Sequence, residues 1–166
     1  MQHHDAHHDL HGLDAREGGD FDRAYLSMMI AHHQGAIDMS RLVLDRLQDE
    51  QVRDWTRAIL DVQDREIRDM HSWLAELGGV DGAMRGAMQE EMHAMTRDLA
   101  HAADSDRALI EGMLPHHASA VEMAVLALRQ SNDERVLALS REIIRTQASE
   151  MYDYRMWLAR RAQKQT

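Results

Sequence analysis

Two histidine pairs carry most of the chemistry open to this chain. The first stands in the run HHQGAIDM, with His32, His33, Asp38 and Met39, and the second in HHASAVEM, with His116, His117, Glu122 and Met123. Imidazole exchanges protons near neutral pH and ligates transition metals, and a thioether adds a soft, polarisable donor. Met29 lies one helical turn before His33, and Met113 one turn before His117, so His/Met ridges along a helix are expected in both runs. Neighbouring helical residues point about 100° apart, so one ring of each pair should face the core and the other a neighbouring helix or solvent.

Both runs belong to a longer duplication. Residues 22–77 match residues 106–161 without a gap, and 21 of the 56 paired positions are identical, polar ones included. Gln63 and Glu66 recur in this way as Gln147 and Glu150. Each Gln-x-x-Glu falls in or beside an otherwise apolar stripe, where an unpaired carboxylate would be costly, so the histidines one helix away are its expected partners. Two readings follow. In one, a hydrogen-bonded His–Glu–Gln layer does no more than pair the helices. In the other, the histidines hold metal, and Glu and Gln are ligands or the groups that orient the rings.

Apolar residues at helical spacing predict helices over about 21–47 and 50–77, the second ending at Gly78-Gly79. The duplicate predicts helices over about 105–129 and 133–162, with Ser131 and Glu134 spaced as a capping box. Short links make each pair an antiparallel hairpin. An insert at about 81–101 should form a shorter helix capped by Asp81, with Met84, Met88, Met92, Met95 and Leu99 along one face. Pro115 replaces Ala31 of the first copy and should bend or restart its helix beside His116. The fold class is therefore all-α. Residues 21–166 are expected to form one domain, with repeat 1 at about 22–77, the connecting helix at about 81–101 and repeat 2 at about 106–161. Residues 1–20 are read as a flexible His-rich tract.

The net charge of −10 argues against nucleic acid, whose phosphates need a basic face, and suits cations. With no cysteine, disulfides and thiolate metal sites are excluded. No apolar run is long enough to span a membrane. The opening MQHHDAHHDLHG spaces His3, His7 and His11 four apart, which would suit a metal-collecting tail, and resembles the start of a processed exported protein. Imidazole and thioether donors without thiolate or a dense carboxylate cage point to copper, Cu(I) favouring Met and Cu(II) favouring His, with zinc the second choice. A di-iron carboxylate centre is poorly served, because Glu90 with His93, in the insert, is the one pair with the required Glu-x-x-His spacing.

The runs MIAHHQGAIDM with QDRE, and MLPHHASAVEM with QASE, resemble the DUF305 family of bacterial proteins over about residues 21–161. The resemblance implies a ferritin-like four-helix bundle, exported to the periplasm, cell envelope or medium, with copper binding among some relatives. It also implies functional roles for His32, His33, Met39, Gln63, Glu66, His116, His117, Met123, Gln147 and Glu150. With Met29 and Met113 added from the ridges, these are the candidate metal residues. The expected function is buffering, sequestering or transferring the ion, with an unidentified protein as its donor or acceptor and no reaction catalysed. A redox or hydrolytic metalloenzyme is the first rival, and a purely structural or partner-binding bundle the second. Gly112, standing where the first copy has Met28, breaks strict equivalence of the two halves.

Overall fold

In the computed structural model, which describes residues 10–165, the long helices are α1 at Gly18–Val43, α2 at Glu50–Glu76, α3 at Gly82–Arg97, α4 at Ser105–Gln130 and α5 at Glu134–Lys164. Four of them start on an aspartate. The carboxylates of Asp49, Asp81, Asp104 and Asp133 accept from backbone N–H groups of the first turn that have no partner within the helix. No strand occurs among the described residues, so the all-α expectation holds. The expected helices of both hairpins and of the insert are present.

Three local expectations need correction. The last helix is capped by Asp133 and not by Ser131, whose hydroxyl donates to Asp22 at 2.6 Å and accepts from the Asp133 N–H at 3.1 Å. Pro115 does not restart its helix. α4 runs through it, and the proline ring stands exposed on the outer side, so the clash and the missing donor at the Glu111 carbonyl fall where water can reach. Finally, helical structure begins before residue 21. Leu13 is completely buried in a short 3-10 turn, Leu10 packs on the same core, and α1 starts at Gly18. His3, His4, His7 and His8 lie outside the described residues; His11 pairs with Glu91 of α3 at 3.0 Å.

α1 packs against α2, α3 and α4, and α4 against α5 as well as α1, so the two hairpins meet across α1 and α4. Each hairpin grips the loop of the other. Asp106, at the start of α4, accepts the N–H groups of Gln48 and Asp49 at 3.0 Å in the α1–α2 loop. Its duplicate, Asp22 in α1, takes the Ser131 hydroxyl in the α4–α5 loop. Burial pushes the Asp22 carboxyl above the usual range, and the Ser131 hydrogen bond opposes that rise.

Met84, Met88 and Met92 of α3 are buried against α1, while Met95 is half-buried. Gly35 makes this approach possible: a Cβ there would lie 2.8 Å from both Cγ and Sδ of Met92 and 2.9 Å from its Cβ. Gly35→Ala is therefore expected to lower stability by about 1–2 kcal/mol, overpacking outweighing the better helix propensity of alanine. Gly86→Ala, in α3 with nothing near the new methyl, is expected to raise it by about 0.5–1 kcal/mol. Urea unfolding of the two variants checks both signs.

Candidate metal centre

The core is divided. One apolar cluster holds Phe21, Tyr25, Met28, Met70 and Met88, a second holds Met39, Val43, Leu109, Met113 and Trp157, and the four paired histidines lie between them along α1 and α4. All four rings are 0% exposed, so of the two directions expected for the second ring of each pair, a neighbouring helix and not solvent is the one taken. A bundle buries α1 on three sides, leaving no solvent-facing direction for either ring. The division of labour within each pair does hold. His33 and His117 turn to their own hairpin partners, while His32 and His116 meet at the middle of the molecule.

In the outer pairs, His33 Nε2 lies 2.5 Å from Glu66 Oε2, and His117 Nε2 bonds to Glu150 Oε2 in the same way. Each ring's Nε2 is taken up by the carboxylate, which leaves Nδ1 as its other nitrogen. That Nδ1 has no hydrogen-bond partner in either residue. The carboxylate thus orients its ring, as it does behind metal-bound imidazoles generally.

At the centre, the His32 and His116 rings stack with centroids 3.7 Å apart and planes 32° from parallel. His116 Nε2 donates to the His32 carbonyl at 2.9 Å, which fixes its tautomer and again leaves an unpartnered Nδ1 lone pair. Neither ring nitrogen of His32 makes a well-formed hydrogen bond, although the ring approaches the His116 backbone. Burial, and then the positive charge that His116 would carry, push the His32 pKa well below its ordinary value. Burial first, and His117 next, push that of His116 down to about 3. Both central rings are therefore neutral at physiological pH. Four buried imidazoles, each with at least its Nδ1 unpartnered, are an unusual concentration of unsatisfied nitrogen.

Of the remaining candidates, Met29, Met39, Met113 and Met123 are at most 1% exposed, within the apolar clusters on either side of the imidazoles. Gln63 and Gln147 are buried too, and the Oε1 of each accepts no hydrogen bond. The expected His–Glu–Gln layer is thus bonded through glutamate and not through the glutamine oxygens. Gly112 is explained by its neighbour: a Cβ there would lie 3.3 Å from the Met39 methyl, so a second copy of Met28 would compete with Met39 for the same space. Among the described residues, no three His, Asp or Glu side chains are grouped closely enough to hold one ion. A metal in this core would therefore draw on thioethers beside imidazole, a set suited to soft ions.

The halves also differ around the outer pairs. The Tyr154 ring stands edge-on to His117 at 5.4 Å, and Trp55 edge-on to Tyr154 at 5.5 Å. The duplicate positions hold Met70 and Leu139. Tyr25, whose hydroxyl donates to Ser140 at 2.8 Å, corresponds to Leu109. The reciprocal grip of Asp22 and Asp106, and the paired caps Asp49 and Asp133, were missed in the sequence, although each recurs unchanged in the duplication.

The family model described as "Domain of unknown function (DUF305)" matches residues 1–74 and 106–166, leaving out the segment that contains α3. Solved structures of CopM share the fold. The Cu(II)-bound form is 34% identical, covering 82% of this chain and 94% of that one, with a TM-score of 0.74. The Cu(I)-bound form is 29% identical, covering 84% and 96%, with a TM-score of 0.70. A DUF305 fragment from Deinococcus radiodurans is 25% identical over 84% and 95%, with a TM-score of 0.73. No curated protein matches the chain.

Proposed function

The chain belongs to the DUF305 family, and from that footing we propose that it binds a soft metal ion, copper before zinc, as cargo to be buffered, sequestered or handed on. The observation that carries this reading is the set of four buried imidazoles whose Nδ1 atoms have no hydrogen-bond partner, lying between clusters that contain Met29, Met39, Met113 and Met123. A purely structural layer would be expected to satisfy its own polar atoms. This one satisfies Nε2 of three rings and leaves the nitrogens that an ion would use. Glu66 and Glu150 orient the outer rings, and Gln63 and Gln147, one turn away on the same helices, have unpartnered oxygens. The binding of Cu(I), Cu(II) and silver by CopM supports the choice of ion. No catalysed reaction is part of the proposal.

The family likeness extends the proposal to an exported protein of the cell envelope. No helix among the described residues is long and apolar enough to cross a membrane, which agrees with that location without requiring it. The test of function is competitive titration with Cu(I) and Cu(II) against chelators of known affinity. Binding much tighter than micromolar, weakened roughly 100-fold by His32→Ala with His33→Ala, is expected. Micromolar or weaker binding that ignores both substitutions would sink the reading.

A further inference from the structure

A groove of about 550 Å³ runs between α2 and α5. Glu66 lines it and also bonds the buried His33, so one side chain spans the distance from solvent to the imidazole layer. Its side chain is 14% exposed, whereas the ring behind it is fully enclosed. Asp69, Glu134 and Glu142 share the groove with Glu66, against Arg65 and Arg135. Arg135 is already engaged by Asp133 and Glu76, so its charge is largely spent. The wall is therefore net negative, and a negative cleft raises the local concentration of cations.

We propose that this groove is the port through which a soft monovalent cation enters and leaves the imidazole layer, Glu66 being the first group of that layer to meet it. The inference rests on the metal-binding reading above. An ion arriving in the groove exchanges water for the Glu66 carboxylate. As Glu66 turns toward the ion, its hold on His33 Nε2 weakens, and the ring becomes free to reorient and accept the cargo. The other half is built differently. Glu150 reaches solvent more freely, at 31% exposed, but Tyr154 stands edge-on to the ring it holds and Trp55 backs Tyr154. The duplicate positions hold the more flexible Met70 and Leu139.

The probe is Ag(I), supplied as nitrate in chloride-free buffer and followed by stopped-flow tryptophan fluorescence of the full chain, since Trp73 lines the groove. Ala138→Phe with Thr146→Phe narrows the groove from the α5 side without replacing a candidate ligand. Association and dissociation rates are both expected to fall about tenfold or more while Kd stays within about twofold, because a port changes the barrier and not the end states. Glu134→Gln with Glu142→Gln, a change too mild to disturb the fold, is expected to slow association about threefold to tenfold at low salt and to flatten its dependence on ionic strength. Val125→Phe, at an exposed site on α4, should leave the rates unchanged. Tight binding by the unaltered protein, with unchanged rates in both groove variants, would overturn the port and spare the metal-binding reading. Absence of saturable Ag(I) binding by the unaltered protein would overturn both.

Discussion

Replacing His32 and His116 together by leucine is expected to leave the metal-free protein as stable as before or more so, while abolishing its response to metal. The two rings are fully buried, and three of their four nitrogens make no well-formed hydrogen bond. Each unsatisfied buried polar group costs about 1–3 kcal/mol, a penalty that leucine, of comparable bulk and without polar atoms, removes. The unaltered protein should gain about 4 kcal/mol from Cu(I) or Ag(I) held at a thousand times Kd, since an ion that binds only the folded chain stabilises it. In the double variant that gain should vanish. Urea unfolding, with a chelator and then with the ion, measures both quantities. A variant that unfolds earlier in chelator yet gains as much from metal would mean that the central rings are structural and the ion binds elsewhere.

Acid should unfold the metal-free protein through the same two residues. Their pKa values in the folded state are depressed, to about 3 for His116 and well below the usual value for His32, while the unfolded chain protonates near the ordinary value of about 6.5. Below that pH the unfolded state binds protons that the folded state refuses, so stability is fully present above it and is lost as pH falls toward the folded values. Two such groups give a slope approaching about 2.7 kcal/mol per pH unit. A domain with a typical stability of about 5–15 kcal/mol cannot sustain that loss for many units. Denaturant midpoints at pH 7.5, 6 and 5 should fall progressively, and the His32→Leu, His116→Leu protein should lose most of the slope. Equal slopes in the two proteins would assign acid sensitivity to other groups.

Helix positions were legible in the sequence because stripes of apolar residues state their own period, and Gly78-Gly79 mark where α2 stops, each with positive φ. The pairing of Glu66 with His33 was legible because a carboxylate in an apolar stripe needs a partner and the duplication offered one at the same place twice. Burial of every ring was not, since spacing fixes direction around a helix but not how many neighbours surround it; α1 has three. The role of Ser131 was misread for a related reason. Ser-x-x-Glu describes a local cap, whereas its hydroxyl is taken by Asp22, 109 residues away. Asp22 and Asp106 were visible as identical positions in the repeat, but only the fold reveals that each one serves the opposite half.

That exchange has the form of a symmetric pair. When residue i of one unit grips a loop of another, and the matching residue of the second grips the matching loop of the first, the arrangement is that of an isologous pair. Here both units lie in a single chain. The chain thus carries the symmetry of a hairpin closed on a copy of itself, each half contributing two imidazoles across a pseudo-dyad. The halves differ about that axis, one having Gly35 beneath the methionine helix and the other Tyr154 and Pro115, while the His32 and His116 rings meet upon it.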